Sequence, residues 1–304
     1  MTSGGGFPGS ERAGGELRRG RVALFGDVGG HPKQLRNALV ALGMDAATRR
    51  LPADLTVVQV GDLIHRGPDS SGAVDLVRTV MRQQPLQWVQ LAGNHEAQYL
   101  TPPKFHWPER LPEDDLETLF EWWSSRRMRV AAAVEVAGEP FPYLVTHAGL
   151  TEGFWRHFIG MPESASAAAA SLNGLVGRLH ENWVYRPGVM LTGEVNLSAG
   201  PLWASAPDEL LPSWLASAAP APFNQVHGHS STIDWVTGRR YGHLEERVQI
   251  IDDPLLRHST AIVEGRQFIG IDPGHGRRPA RSWGPLVFAD ARVMEGQSVV
   301  TSEE

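Results

Sequence analysis

The chain has 304 residues, enough for one large hydrophobic core or two modest ones, and its 41% hydrophobic and 20% charged residues are those of an ordinary globular protein. A net charge of −6 argues against general nucleic-acid binding through a basic field. With no cysteine, disulfides, thiolate metal sites and cysteine nucleophiles are excluded, and any metal is left to His, Asp, Asn or Glu.

Residues 1–20 are Gly-rich and lack an apolar stretch, so they read as a flexible tail and not as a secretory signal. No apolar run approaches the ~18–20 residues needed to cross a bilayer, and a cytoplasmic location without membrane contact is expected. RVALFGD (21–27) predicts a strand ending in a polar turn, followed by a helix from Pro32 to Leu42 with Leu35, Leu39 and Leu42 at helical spacing. LTVVQVGD (55–62) repeats the unit, with a helix near 69–83, and LQWVQLAGNHE (86–96) is a third strand. Residues 101–130, with four prolines and then Trp122 and Trp123, and the Ala-rich 151–185 are expected as helical insertions or a cap. The two tryptophans precede Arg126, Arg127 and Arg129, a pattern open to base stacking, but packing of the cap helix is the expectation. PYLVTHAGL (142–150), FNQVHGHS (223–230), RQFIGIDPGHG (266–276) and GPLVFAD (284–290) are further strands, and 291–304 reads as a loose acidic tail. Early strand–helix alternation and late strands predict one domain over 21–290, with two packed sheets and helices outside.

Five strand-end loops each carry groups suited to divalent metals: Asp27, Asp62, Asn94 with His95, His147 and His229. Any one alone is ordinary turn chemistry or a core histidine. Recurrence after successive β-rich runs is what points to a site, because strands gathered in one sheet bring their ends to a common edge. A carboxylate shared by two ions, completed by imidazole and amide, suits a two-metal centre that clamps a phosphoryl group.

GDVGGHPKQL, GDLIHRGPDS, LAGNHE, THAGL and VHGHSS resemble, in that order, the metallophosphoesterase series GDxHG, GDxxDRG, GNHE, HAG and GH. This calcineurin-like superfamily, and within it the PPP-type Ser/Thr phosphatases and symmetrical diadenosine-tetraphosphate hydrolases, is the nearest resemblance. It implies a four-layer α/β-β/α sandwich with helical insertions. It also implies hydrolysis of a phosphate ester or a nucleotide anhydride, on a phosphorylated protein or small molecule, with two divalent ions (Mn, Fe or Zn) and metal-activated water. Carried over by position, Asp62 bridges the metals, Asn94, His147 and His229 complete the second site, and Asp27 serves the first. His95 matches the residue that protonates the leaving oxygen, and Arg66 and Arg186 match phosphate-holding arginines.

Two positions depart from that pattern. Gly29 stands where a first-site histidine belongs, and His65 stands where an aspartate supports the catalytic histidine. Either the first site is weak or empty, or a nearby imidazole (His65, His31 or His275) refills it. The alternative function is a degraded, non-catalytic relative that binds phosphate or nucleotide and keeps a single metal.

Overall fold

The computed structural model of the chain describes residues 19–242, 244, 248–275 and 283–294. Short apolar runs form β1 (Gly20–Phe25), β2 (Leu55–Gln59) and β3 (Trp88–Leu91), which pair in parallel. The crossovers are α1 (Pro32–Ala41) and α2 (Ser70–Gln83). Proline in the first turn starts α1, and the Asp69 carboxylate caps α2 by accepting from Gly72 N. After β3 come α3 (Asn94–Leu100), α4 (Glu113–Ser124) and β4 (Met128–Arg129), and β4 extends the parallel series outward.

The second half runs β5 (Ala131–Val136), β6 (Tyr143–Thr146), α5 (Glu152–His157) and α6 (Ala165–Gly174). A 3₁₀ turn at Glu181–Tyr185, α7 (Val189–Thr192), a π-helical turn at Ala206–Leu210 and α8 (Leu211–Leu215) follow. The chain then forms β7 (Asn224–His227), β8 (Gln249–Asp253), β9 (His258–Val263), β10 (Arg266–Gly270) and β11 (Leu286–Met294). Here β6, β7 and β10 form a second parallel series.

All eleven strands share one ladder, in the order β4-β3-β2-β1-β11-β5-β6-β7-β10-β9-β8. The expected two sheets are therefore two halves of one sheet, joined by β11, which pairs antiparallel with both β1 and β5. The ladder doubles over on itself. Between β1 and β10 lie five strand steps, roughly 24 Å if the sheet were flat. Yet a Cβ added at Gly26, just after β1, would collide with the Ile271 carbonyl just after β10. Leu24, Val58 and Val60 of one half share a buried cluster with Val145, Val226 and Ile269 of the other. A second cluster packs the helices outside, with Leu35, Leu39, Val74 and Trp122 on one face and Ala168, Leu172 and Trp214 on the other. Helix, sheet, sheet and helix make the four layers of the expected sandwich.

Several boundaries differ from expectation. β11 continues to Met294, its residues 291–294 pairing with β5, so the domain runs four residues past the expected limit at 290. The remainder of the expected tails, 1–18 and 295–304, lies outside the described residues. The stretch 151–185 is no detached cap: Asn173 of α6 accepts from Val130 N and Ala131 N and donates to Ala131 O, which ties α6 to β5. Trp122 and Trp123 are buried in the core, as the packing reading expects. Among the described residues no helix is long and apolar enough to cross a membrane.

The close approach at Gly26 yields a direct test. Gly26→Ala should destabilise the fold by roughly 2–4 kcal/mol, because the new methyl must push β1 away from β10. Gly174→Ala, on a helix end with open space around it, should be neutral or slightly stabilising. Urea unfolding of both variants measures the difference, and equal midpoints would contradict the doubled-over packing.

Candidate metal centre

The two parallel series end at the same edge, and their loops face one another. Asp27, Asp62 and Asn94 follow β1, β2 and β3, while His147, His229 and Asp272 follow β6, β7 and β10. The link between halves is direct, since His147 Nδ1 donates to Val60 O at 2.9 Å. The loops need unusual backbone. Asp62, His65, Arg66 and His229 all hold positive φ, at 51°, 70°, 67° and 62°. Gly61 (φ 100°) lies so close to Gly93 that a Cβ there would stand 2.5 Å from Gly93 N. Glu96 holds these loops in place. Its buried carboxylate accepts from Asp62 N (2.8 Å), Leu63 N (2.9 Å) and Gly93 N (2.8 Å).

Among the described residues, one group of side chains gathers ligand atoms within 4.8 Å of one another: Asp62, His147 and His229. Asn94 joins it, its Oδ1 standing 3.0 Å from His147 Nε2 and 2.9 Å from His229 Nδ1. His147 Nδ1 is committed to Val60 O, so the neutral ring turns a lone pair on Nε2 toward Asn94 and toward Asp62 Oδ1 at 3.4 Å. Burial holds His147 and His229 below the usual imidazole range, in the neutral form that binds metals. Asp62 Oδ2 and His229 Nε2 are buried with no hydrogen-bond partner among the described residues. Lone pairs converge here without matching donors. A borderline divalent cation suits that donor set.

Asp27 stands apart from this group. Its Oδ1 accepts from His229 N at 3.0 Å, and burial, then Asp272 and Asp62, push its carboxyl well above the usual range. Asp272 is a second carboxylate beside it, at the end of β10. The strand-end position of IDPG was the available signal for Asp272, but the motif series carries no ligand there.

None of the imidazoles considered for the first site joins the metal group. His65 Nδ1 lies 2.7 Å from His95 Nδ1 and its Nε2 lies 2.8 Å from the Tyr99 hydroxyl, so both nitrogens are engaged on the side away from Asp62. His31 Nδ1 donates to Val28 O at 3.1 Å, and its ring stacks on His275 with centroids 4.3 Å apart. His275 fills the space beside Gly29: a Cβ at Gly29 (φ 54°) would stand 3.2 Å from His275 Cδ2.

His95 Nε2 lies 3.8 Å from Asp62 Oδ2, and Arg66 Nη2 donates to the same nitrogen at 3.3 Å. Arg66 is exposed, its guanidinium 5.3 Å from the Trp107 ring centre. Arg186, by contrast, is not brought to the centre. It is exposed, its guanidinium lies over the Phe158 ring, and its carbonyl accepts from Gly200 N. The aromatic wall of the site was not legible either. Phe105 and Trp107 pack against His95, with centroids at 5.2 and 4.8 Å, and Trp203 closes against His229 at 5.9 Å.

This constellation of strand-end ligands has a counterpart among known proteins. A sequence profile of calcineurin-like phosphoesterases matches residues 20–263, well over half of the chain. The chain belongs to the calcineurin-like phosphoesterase family. No curated protein matches the sequence. Among solved structures it resembles a cold-active protein-tyrosine phosphatase of a Shewanella species at 12% identity and TM-score 0.51, covering 88% of this chain and 75% of that one. A protein serine/threonine phosphatase from Saccharomyces cerevisiae matches at 15% identity and TM-score 0.47, over 90% of this chain and 81% of that one. A putative diadenosine tetraphosphatase matches at 21% identity and TM-score 0.37, over 84% and 83%. At 12% identity the likeness to the first of these shows the fold alone.

Within the calcineurin-like fold, the geometry separates ligands from neighbours by metal content. His147→Ala and His229→Ala should each lower bound metal by at least about tenfold in affinity, read by elemental analysis after dialysis. His65→Ala and His31→Ala should leave it unchanged. Gly29→His alone should cost at least about 1 kcal/mol of stability and fail to raise metal content, since position 29 has positive φ and His275 takes its space. Metal loss in His65→Ala would return His65 to the list of ligands.

Proposed function

We propose that the protein is a metal-dependent phosphoesterase that hydrolyses a phosphate monoester, on a phosphoprotein or small molecule, or a nucleotide phosphoanhydride. The observation that carries this reading is the group Asp62, His147 and His229, buried beside His95 and the exposed Arg66. Asp62, Asn94, His147 and His229 would hold a divalent ion, Mn, Fe or Zn, and Asp27 would contribute to a second one. When bound, the ions polarise a phosphoryl oxygen and lower the pKa of a water. The chain's own residues do the remainder. Arg66 binds phosphoryl oxygens with its fork of donors, and its exposure lets a substrate reach it from solvent. His95 gives a hydrogen to the leaving oxygen. Phe105 and Trp107 pack against the His95 ring and hold its orientation.

A second reading has its own support. Asp27 stands outside the metal group and Gly29 offers no ligand, which favours a relative that keeps a single ion and binds phosphate or nucleotide without turnover. Metal stoichiometry with a turnover screen separates the two. p-Nitrophenyl phosphate, phosphopeptides and dinucleoside polyphosphates would be tested with added Mn²⁺. Two ions and turnover support the enzyme; one ion with binding but no turnover supports the binder.

His95→Ala should keep its metal and lose about 10²–10⁴-fold in rate on alkyl phosphates, as for a lost general acid. The loss should be smaller on p-nitrophenyl phosphate, whose leaving group needs little protonation. Equal losses on both substrates, measured as kcat, would remove His95 from this role.

A further inference from the structure

His95 is held at both ring nitrogens. Arg66 Nη2 stands 3.3 Å from Nε2, and His65 Nδ1 stands 2.7 Å from Nδ1. His65 Nε2 meets the Tyr99 hydroxyl at 2.8 Å, and that hydroxyl reaches the Glu109 carbonyl at 3.5 Å. One chain of hydrogen bonds thus runs from the metal side of the site to a half-buried tyrosine.

Its direction follows from donor chemistry. A guanidinium only donates, so His95 Nε2 accepts from Arg66 and the neutral ring carries its hydrogen on Nδ1. That hydrogen goes to His65 Nδ1. His65 then carries its own on Nε2 and donates it to the Tyr99 oxygen, leaving the hydroxyl hydrogen for Glu109 O. Gln98 Oε1 accepts from Trp107 N at 3.1 Å, which turns the Gln98 amide nitrogen toward the edge of the His65 ring, 3.3 Å from Nδ1 and 3.2 Å from Nε2, so it favours neither nitrogen. Each ring accepts a hydrogen bond at one nitrogen, His95 at Nε2 and His65 at Nδ1, so each keeps a lone pair and is neutral in this arrangement. A carboxylate at position 65 could only accept, and would hold the hydrogen on His95 Nδ1. An imidazole can accept or donate.

We infer that His65 and Tyr99 are positioning residues that set which ring nitrogen of His95 carries its hydrogen, and that the chain reverses when a substrate phosphoryl group engages Arg66. This rests on the reading of His95 as the group that protonates the leaving oxygen. In the reversal one proton enters at His95 Nε2 from water. The Nδ1 hydrogen passes to His65 Nδ1, the His65 Nε2 hydrogen passes to the Tyr99 oxygen, and the former hydroxyl hydrogen leaves to water. One proton enters, one leaves, and every group ends neutral. His95 now points an N–H at the leaving oxygen. Donating it runs the chain back, with water replacing the proton at Tyr99.

Nitrogen-15 spectra of the histidine rings in the zinc-loaded full chain test this without relying on turnover. The expected resting spectrum shows His95 protonated on Nδ1 and a scalar coupling across the bond to His65 Nδ1. Inorganic phosphate should move the His95 hydrogen to Nε2, and Tyr99→Phe should shift the His65 Nε2 signal. A resting His95 protonated on Nε2, or a spectrum that phosphate leaves unmoved, would overturn the inference. If the spectra behave as expected and no phosphate ester turns over, the proposed activity fails and the hydrogen-bond assignment stands. Kinetics supply the second arm. Tyr99→Phe should lower kcat on an alkyl phosphate about tenfold, with a smaller loss on p-nitrophenyl phosphate and unchanged metal content. In a His65→Asp background the same change should have no effect, because a carboxylate needs no tyrosine behind it. Equal effects in both backgrounds would also overturn it.

Discussion

The Glu96 carboxylate is the interaction on which the site depends. It accepts three backbone N–H groups, from Asp62, Leu63 and Gly93, and so fastens the loop after β2 to the loop after β3. Asp62 and the Asn94–His95 pair are placed by that one side chain, and His95 N completes the link by donating to Asp62 Oδ1 at 2.9 Å. Burial and the nearby Asp62 push Glu96 up to about 8, against the pull of its three donors. The two loops meet in close backbone contact, which explains why Gly61 and Gly93 flank the junction. A Cβ on Gly93 would enter the space of Asp62 and Glu96. Glu209 performs a similar task in the other half, accepting from Val189 N, Asn196 N and Ser205 N.

Folding the sheet over on itself then brings the two sets of loops together. The candidate metal group draws on both halves: Asp62 and Asn94 from one, His147 and His229 from the other. The join depends on β11, the last described strand, which closes the gap between β1 and β5. His147 and His229, just after β6 and β7, therefore take their position against the loop after β2 through pairing that involves β11.

Much of this was legible in sequence, for a physical reason. Each ligand sits directly after a β-rich run, and parallel strands carry such residues to one edge whatever their separation along the chain. α1 and α2 were legible for a similar reason, since proline and aspartate at their starts act locally. What depended on distant contacts was not legible. β5, β8 and β9 lack a strand-end motif, and their assignment comes from partners found only in the fold. Arg186 follows a resemblance in a loosely aligned loop, and its guanidinium packs on Phe158. The tryptophans beside His95 and His229 are Trp107 and Trp203, whereas Trp122 and Trp123 serve the core; charge neighbours along the chain cannot tell these apart.

The two departures at the active site also look different once placed in space. In sequence, an imidazole lost at Gly29 and one gained at His65 suggest an exchange of ligands. In the fold they serve separate parts of the site. His65 occupies the far side of His95, with both nitrogens bonded, while the volume beside Gly29 is filled by His275. The change at 65 therefore falls beside His95, and the change at 29 falls beside His275. Compensation by exchange would need His65 to face Asp62, and the bond to Tyr99 turns it away.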